Sequence, residues 1–296
     1  MAYLGAHVTG GVKGGAARGV EIGAEALQIF VGSPQMWRQS RPAAKDIAAF
    51  QNAVREHQLG PVFVHCIYLV NLAAENPVVL EKSIPTLRTQ LEKADEIGAV
   101  GLVFHPGSAG KAPYEEAMAR VVDGVRKVLE GYQGTARLIP EVCAGQGQTI
   151  GDRFEEFADL FGALDNDPRL GVCWDTCHLL GAGYDIASQD GLERTVEDFD
   201  RLVGLERLLV IHANDSKTPL GSRVDRHDNI GRGFIGEDGF ARLLTHPALS
   251  PLPWILEVPG YDGQGPDLAN VDALKRLAGR PRAIAPSVDE TVGELT

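Results

Sequence analysis

Eight short apolar runs rich in β-branched residues alternate along this chain with amphipathic stretches of helical period. Such alternation is typical of repeated βαβ units around a parallel sheet. The runs span residues 3–8, 27–31, 62–66, 102–105, 138–142, 170–175, 208–212 and 254–258. Helical segments such as 76–97 and 113–130 lie between them. Eight strands of this kind predict an α/β fold that closes into a single (β/α)8 TIM barrel.

An open, doubly wound α/β sheet is the main competing architecture. The glycine-rich GxGxxG pattern that usually follows its first strand is absent here. A chain of 296 residues with 44% hydrophobic content is long enough to bury one large core. We therefore expect one barrel domain over residues 1–279. The remaining segment, 280–296, contains Pro281, Pro286 and acidic side chains, and its composition predicts a disordered tail.

Side chains of the type that bind metals fall at the ends of six successive predicted strands. In a barrel the carboxyl ends of all strands meet at one rim, where enzymes of this fold keep their active sites. Further candidates lie in the rim loops: His178 follows the sixth strand, and Asp225 and His227 belong to the long polar stretch 213–236. The six strand-end candidates are His65, His105, Glu141, Asp175, His212 and Glu257.

These nine side chains comprise five imidazoles and four carboxylates. A set without thiolates suits zinc or manganese, and nine ligands exceed what one or two open catalytic ions require. Three metal ions fit the count better. Such a cluster is suited to phosphoryl chemistry, and hydrolysis of a phosphodiester is the reaction we expect. His7, at the end of the first strand, either supports a ligand or has a structural role.

The charge balance argues against a nucleic-acid substrate, because the chain carries a net charge of −12. Proteins that bind phosphate backbones are usually basic. Three divalent cations held by acidic side chains would change this charge to −6 and place positive charge where a phosphate must lie. We expect a cytoplasmic protein, because no apolar run approaches a membrane span and no secretory signal opens the chain. Its four cysteines, none in a CxxC pair, predict reduced thiols.

Several ordered motifs resemble those of the endonuclease IV family. They are Gly-Ala-His-Val at 5–8, Phe-His-Pro-Gly-Ser at 104–108, Ala-Gly-Gln-Gly at 144–147, Asp-Thr-Cys-His at 175–178, Asn-Asp-Ser-Lys at 214–217 and Leu-Gly-Ser-Arg-Val-Asp-Arg-His at 220–227. The resemblance runs from about residue 3 to residue 277. It implies a three-zinc barrel that cleaves DNA on the 5′ side of abasic sites, leaving a 3′-hydroxyl and a 5′-deoxyribose phosphate. It also implies removal of damaged 3′ ends.

The same resemblance assigns the ligands to three zinc ions, with manganese an alternative at one or more sites. His65, His105 and Glu141 would hold the first ion. Glu141 would bridge to a second ion, and Glu141 and Glu257 are the carboxylates expected to be catalytic. The second ion would be completed by Asp175, His212 and Glu257, and the third would be held by His178, Asp225 and His227.

The implied partner is double-stranded DNA with abasic sites or blocked 3′ ends, bound by a monomer. DNA contacts are expected from Tyr68 and from the second loop, where Gln35, Met36, Trp37 and Arg38 lie. Family members often have arginine two positions before this tryptophan, and here that position is Gln35. Met36, Trp37 or Arg38 is then expected to take part of the wedging role beside a flipped-out nucleotide.

Two other functions compete with this interpretation. Sugar isomerases and epimerases use rim Glu, Asp and His side chains on the same barrel around one or two metals, so a third group with His178, Asp225 and His227 argues against them. A metal-storing or DNA-sensing module without catalysis is the second alternative. Storage does not require an open cavity with a bridging carboxylate.

Overall fold

The computed structural model describes residues 3–38 and 41–281. Eight parallel strands form one sheet, and each predicted run overlaps one of them. Most strands end one or two residues earlier than predicted, because the side chains at the rim lie where the hydrogen-bond ladder stops. The strands are β1 Leu4–His7, β2 Leu27–Ile29, β3 Val62–His65, β4 Gly101–Phe104, β5 Arg137–Pro140, β6 Val172–Asp175, β7 Leu208–Ala213 and β8 Trp254–Leu256.

The sheet closes on itself. Parallel ladders join the strands in the order β5-β4-β3-β2-β1-β8-β7-β6. Isolated parallel bridges from Leu138 to Leu170 and from Glu141 to Cys173 then connect the two outer strands of this order. The fold is therefore a (β/α)8 TIM barrel, as the alternation of the sequence predicted.

Helices follow the strands and cover the outside of the barrel. They are α1 Gly11–Glu21, α2 Ala44–Glu56, α3 Pro77–Glu96, α4 Tyr114–Leu129, α5 Phe154–Ala163, α6 Thr176–Ala182, α7 Gln189–Leu202, α8 Gly236–Thr245 and α9 Leu268–Leu277. Local sequence explains their bounds. In α3, for example, the Asn76 side chain accepts a hydrogen bond from the Val78 amide at 3.0 Å, and Pro77 occupies the first turn, where its missing N–H costs nothing.

The inside of the barrel is filled by a compact apolar layer, distinct from the larger core between strands and helices. Burying one such aliphatic or aromatic side chain stabilises the fold by about 1.5–3 kcal/mol. The layer consists of Ala26, Phe63, Val103, Ile139, Cys173, Val210 and Ile255, all fully buried. Since strand side chains alternate between faces, the residue two positions beyond each of these also points into the barrel. Those positions form the rim: Gln28, His65, His105, Glu141, Asp175, His212 and Glu257.

A close backbone contact fixes the start of this arrangement. A Cβ atom at Gly5 would lie 2.0 Å from the carbonyl oxygen of Ala26, so β1 can approach β2 here only without a side chain. Gly101 on β4 is similar, because a Cβ atom there would lie 2.5 Å from the carbonyl oxygen of Arg137. Any larger residue at either position would push neighbouring barrel strands apart.

The C-terminal end of the described chain is held against the barrel by ion pairs. Arg280 donates hydrogen bonds to Glu25 at 2.7 and 2.9 Å, and Lys275 lies 3.2 Å from the same carboxylate. Most of the predicted tail, residues 282–296, lies outside the described residues. Within the described parts of the chain, none of the helices is long and apolar enough to cross a membrane.

Candidate metal centre

The first group of candidate ligands joins β3, β4 and β5 at the rim. The Nε2 atoms of His65 and His105 each lie 3.2 Å from the same oxygen, Oε2, of Glu141. His65 donates its Nδ1 hydrogen to the carbonyl oxygen of Cys66 at 2.8 Å. The ring is thereby oriented so that its other nitrogen faces Glu141.

The second group uses the other oxygen of Glu141. His212 Nδ1 lies 3.1 Å from Glu141 Oε1, 3.4 Å from Glu257 Oε2 and 3.9 Å from Asp175 Oδ2. The donor atoms of these four side chains all lie within 4.8 Å of one another. The two oxygens of one fully buried carboxylate therefore face two different groups of donors, which is the arrangement of a bridging ligand.

The third group combines the start of α6 with the long loop after β7. His178 Nε2 and His227 Nε2 lie 3.2 Å from the two oxygens of Asp225. His227 Nε2 is also 3.5 Å from Asp175 Oδ2, so the third group adjoins the second. The structure brings all nine predicted side chains together in these three adjoining groups.

The donor set fits cations in both chemistry and spacing. His178 and His227 direct their Nδ1 atoms at the main-chain carbonyls of Val142 and Glu257, at 2.9 and 3.3 Å. Their buried Nε2 atoms have no hydrogen-bond partner among the described residues, although carboxylate oxygens lie close. Two ligand atoms on one tetrahedral zinc ion are separated by roughly 3.3 Å. The observed separations match that value, and an imidazole lone pair facing a carboxylate needs a cation or a proton between them.

The charges of the site are strongly coupled. Burial alone would raise the pKa of Glu141, but attraction to His212 and His105 and hydrogen bonds from His105 and His178 lower it well below its usual range. Burial likewise opposes ionisation of Asp225, but the imidazoles of His178 and His227, 3.2 Å from its two oxygens, lower its pKa. Burial lowers the pKa of His227, but Asp175 and Asp225 raise it to about 9. Glu141 and Asp225 are therefore ionised and attract positive charge.

Two buried thiols lie within reach of the same donors. Cys173 is close to Glu141 and His212, and Cys177 is close to Asp175 and His227. Burial raises the pKa of both thiols to about 12. Because the thiolate is the ligand form of cysteine, these groups are poor ligands and act as small buried side chains.

Sequence reasoning missed two amides that support the site. Gln28 lies one residue before the end of β2 and contacts His212 and Glu257, although strand two was given no functional residue. Asn214 donates to Asp175 Oδ2 at 2.7 Å and accepts from the Glu257 amide at 2.9 Å. The signal for Gln28 was its phase, two residues after the barrel-facing Ala26. His7, left open earlier, directs Nδ1 at Glu257 Oε1 at 2.8 Å and so supports a candidate ligand.

Comparison with known proteins assigns this site to a family. The sequence matches the xylose isomerase-like TIM barrel family over residues 16–279. It is 41% identical to the probable endonuclease 4 of Chloroflexus aggregans, covering 94% of this chain and 98% of that protein. It is 44% identical to the probable endonuclease 4 of Solibacter usitatus, covering 93% of this chain and 97% of that protein. The chain belongs to the endonuclease IV family.

Solved structures agree with this assignment. The crystal structure of endonuclease IV from Thermus thermophilus superposes with a TM-score of 0.82 at 37% identity, covering 94% of this chain and 99% of that one. A 3-keto-D-glucoside 4-epimerase from E. coli superposes with a TM-score of 0.64 at 14% identity, covering 94% of this chain and 100% of that one. The latter similarity concerns the barrel fold alone. The endonuclease IV relationship, in contrast, extends to sequence over nearly the whole chain.

The side chains expected to contact DNA lie in different environments. Tyr68 is exposed and stands beside a cavity of about 340 Å³ that is also lined by His7, His227 and Glu257. Its ring packs edge-on against Phe30, with 5.5 Å between ring centroids. An adjoining cavity of about 510 Å³ shares Phe30 but contains none of the nine candidate ligands. Tyr68 is thus placed to contact a molecule that enters the metal centre.

The second loop divides into exposed and packed side chains. Gln35, Met36 and Arg38 are exposed. Trp37 is half-buried against the hydrophobic core, with Lys82 of α3 lying 6.0 Å from its ring. Trp37 therefore anchors the loop to α3, and the side chains around it are open to solvent.

Proposed function

We propose that this protein is a metal-dependent DNA repair endonuclease that hydrolyses the phosphodiester on the 5′ side of abasic sites. The observation that carries the proposal is the continuous cluster of nine imidazole and carboxylate groups in which Glu141 faces two donor groups at once. Membership of the endonuclease IV family supports the same activity. The products would be a 3′-hydroxyl and a 5′-deoxyribose phosphate, and the enzyme would also clean blocked 3′ ends.

The proposed metal content is three zinc ions, with manganese an alternative. His65, His105 and Glu141 would hold one ion. Bound divalent ions would supply a nucleophilic water at neutral pH and stabilise charge on the attacking and leaving oxygens of a phosphodiester. The second ion would be held by Glu141, Asp175, His212 and Glu257, and the third by His178, Asp225 and His227.

The chain's own residues set the conditions for this chemistry. Glu141 and Glu257 are kept ionised by the surrounding imidazoles, because attraction to His212 lowers the pKa of both carboxylates against the effect of burial. They are the proposed catalytic carboxylates. Tyr68 and the exposed side chains Gln35, Met36 and Arg38 would hold the opened duplex at the rim. That the enzyme acts as a monomer remains a prediction.

A cation-filled centre also resolves the charge problem of an acidic DNA-binding protein. The net charge of −12 includes four carboxylates gathered at the rim, where a phosphate must bind. Divalent ions there would reverse the local potential, and local potential governs approach of an anionic substrate more than the total charge does. DNA affinity should therefore depend on metal loading.

The direct test is nicking of supercoiled plasmid that contains abasic sites. We expect the metal-loaded protein to nick this plasmid and to leave undamaged plasmid intact, and we expect activity to disappear after chelation and return with added zinc. Ketose sugars offered to the same preparation test the epimerase alternative. Epimerisation without nicking would refute the proposal, and metal binding with neither activity would favour a storage or sensing module.

A further inference from the structure

We infer that Gln28 is a positioning residue of the metal centre, which selects the ring nitrogen that His212 offers to a cation and orients Glu257 beside it. The inference rests on the proposed metal-dependent function. Gln28 is fully buried in β2, one residue before that strand ends, and it is the amide among the seven inward-facing rim positions. Its hydrogen bonds run across the rim to β7 and to the residue that follows β8.

The orientation of the Gln28 amide is fixed by its neighbours. Its Nε2 lies 2.6 Å from Glu257 Oε1, and an ionised carboxylate can only accept. The opposite orientation would place the amide oxygen against the carboxylate and would repel it. The amide nitrogen must therefore face Glu257, which leaves the amide oxygen facing His212.

This orientation determines the tautomer of His212. Gln28 Oε1 lies 3.0 Å from His212 Nε2, and an amide oxygen can only accept a hydrogen bond. Nε2 therefore carries a hydrogen, so Nδ1, which faces Glu141 Oε1 and Glu257 Oε2, is the nitrogen that offers a lone pair when the ring is neutral. The nitrogen that faces the carboxylates is thus the one able to bind a cation.

The same amide divides the roles of the two Glu257 oxygens. Oε1 accepts from Gln28 at 2.6 Å and lies 2.8 Å from His7 Nδ1. With Oε1 engaged on that side, Oε2 is turned toward His212, 3.4 Å from its Nδ1. Gln28 therefore acts on two candidate ligands of the second group.

His212 differs in this respect from other imidazoles of the centre. The Nδ1 atoms of His65, His178 and His227 are oriented by main-chain carbonyls. A main-chain carbonyl cannot be removed by a side-chain substitution, whereas the partner of His212 can. Residues that orient a metal-binding histidine typically change metal affinity or activity by about 10- to 100-fold when they are replaced.

The test compares Gln28→Ala with Gln28→Glu, because the two variants separate the two contacts. Gln28→Ala removes both. Gln28→Glu keeps an oxygen to accept from His212 but places a second oxygen against Glu257. Gln90→Ala is the matched control, since Gln90 is a buried amide of α3 whose side chain has no hydrogen-bond partner among the described residues.

Two readouts besides activity are used. Nitrogen-15 NMR of the histidine rings reports the His212 tautomer, and competition with a chromophoric chelator reports zinc affinity. We expect Gln28→Ala to shift His212 toward the other tautomer. We also expect it to lower the affinity for one zinc ion by about 10- to 100-fold. Gln28→Glu should keep the wild-type tautomer of His212 but should also lower the affinity for that zinc ion. Gln90→Ala should leave both readouts unchanged.

A wild-type tautomer and wild-type zinc affinity in Gln28→Ala would overturn the inference. If Gln28→Ala does not fold, Gln28→Met fills the same volume without hydrogen bonds and is judged by the same two readouts. Wild-type protein is assayed in parallel on abasic plasmid. Wild-type protein that neither binds zinc nor nicks would refute the proposed function, whereas an active wild type with an unaffected Gln28→Ala would refute only the role of Gln28.

Discussion

Two parts of the candidate metal centre are built in different ways. Six of its candidate ligands lie at or within one residue of the ends of barrel strands, each two residues beyond a packed interior side chain. Asp225 and His227 lie instead in the loop after β7, where the Asp225 side chain is 43% exposed and Glu141, on the strand side, is fully buried. The strand part is therefore fixed by the core of the barrel, and the loop part depends on local contacts.

Polar contacts, rather than the apolar layer of the barrel, hold the loop part in place. Asp215–Ser216 pairs antiparallel with His227–Asp228 in a short ribbon. The Gln146 side chain accepts from the Asp225 amide at 3.0 Å, and Arg223 donates to Asp152 at 2.6 Å. Gly145 lies under this ion pair, where a Cβ atom would be 2.6 Å from Asp152. We therefore expect that the proposed third ion could be lost separately, whereas a change in the strand part would affect the whole centre.

Glu141→Gln should have the largest effect, because it removes the carboxylate shared by the two groups of the strand part. We expect loss of metal from both groups and a fall in cleavage of roughly 10³- to 10⁵-fold, as several kcal/mol of transition-state stabilisation disappear. Elemental analysis and single-turnover nicking measure this. Glu92→Gln on α3 is the control. Full metal content with normal nicking in Glu141→Gln would show that Glu141 does not bridge two metal ions.

His227→Ala should separate the two parts. It leaves two protein ligands where a zinc site normally has three or more, so about one of three ions should be lost while the barrel stays folded. Cleavage should fall by several orders of magnitude, and binding to abasic DNA much less, because the strand part still contacts it. Metal stoichiometry and single-turnover nicking are compared with wild type. A variant that lost one zinc ion yet cut at the normal rate would contradict a three-metal mechanism.

Arg223→Ala should lower the metal affinity of the loop part only, and the effect should be smaller than that of His227→Ala. The ion pair with Asp152 is partly exposed and is worth about 1 kcal/mol, so the affinity of the third ion should fall about fivefold. Asp152→Asn should have a similar effect, and the double variant should be less than additive. Zinc titration measures the effect, with Arg201→Ala on α7 as control. Equal weakening of all ions would show that the two parts are not separable.

The smallest effect is expected in the second loop, outside both parts. Arg38→Ala should weaken binding to abasic DNA and reduce the salt dependence by about one phosphate contact, and Gln35→Arg should have the opposite effect. Fluorescence anisotropy at several salt concentrations measures both. If neither change alters affinity, neither residue faces the DNA. The opening of the duplex would then be assigned to Tyr68 and Met36.

The sequence predicted the ligands of the strand part more completely than the contacts that support the centre. Because strand phase, a local property, decides which side chains face the barrel interior, His65 and Glu141 could be assigned from the pattern. The loop ligands depended on motifs, since nothing periodic identifies Asp225. Gln28 was missed because an amide is not an expected metal ligand. Contacts such as Arg223 with Asp152 join distant segments, and no local pattern encodes them.

The layering of the barrel bears on which genetic changes this enzyme can tolerate. A codon change at a rim position such as Gln28 alters the chemistry of the site without opening a hole in the apolar layer beneath it. Loss or gain of one codon within a strand is different, since it would exchange the inward and outward sides of every residue between the lesion and the rim. Lineages should therefore vary at these positions by replacement, while insertions and deletions collect in the loops between strands.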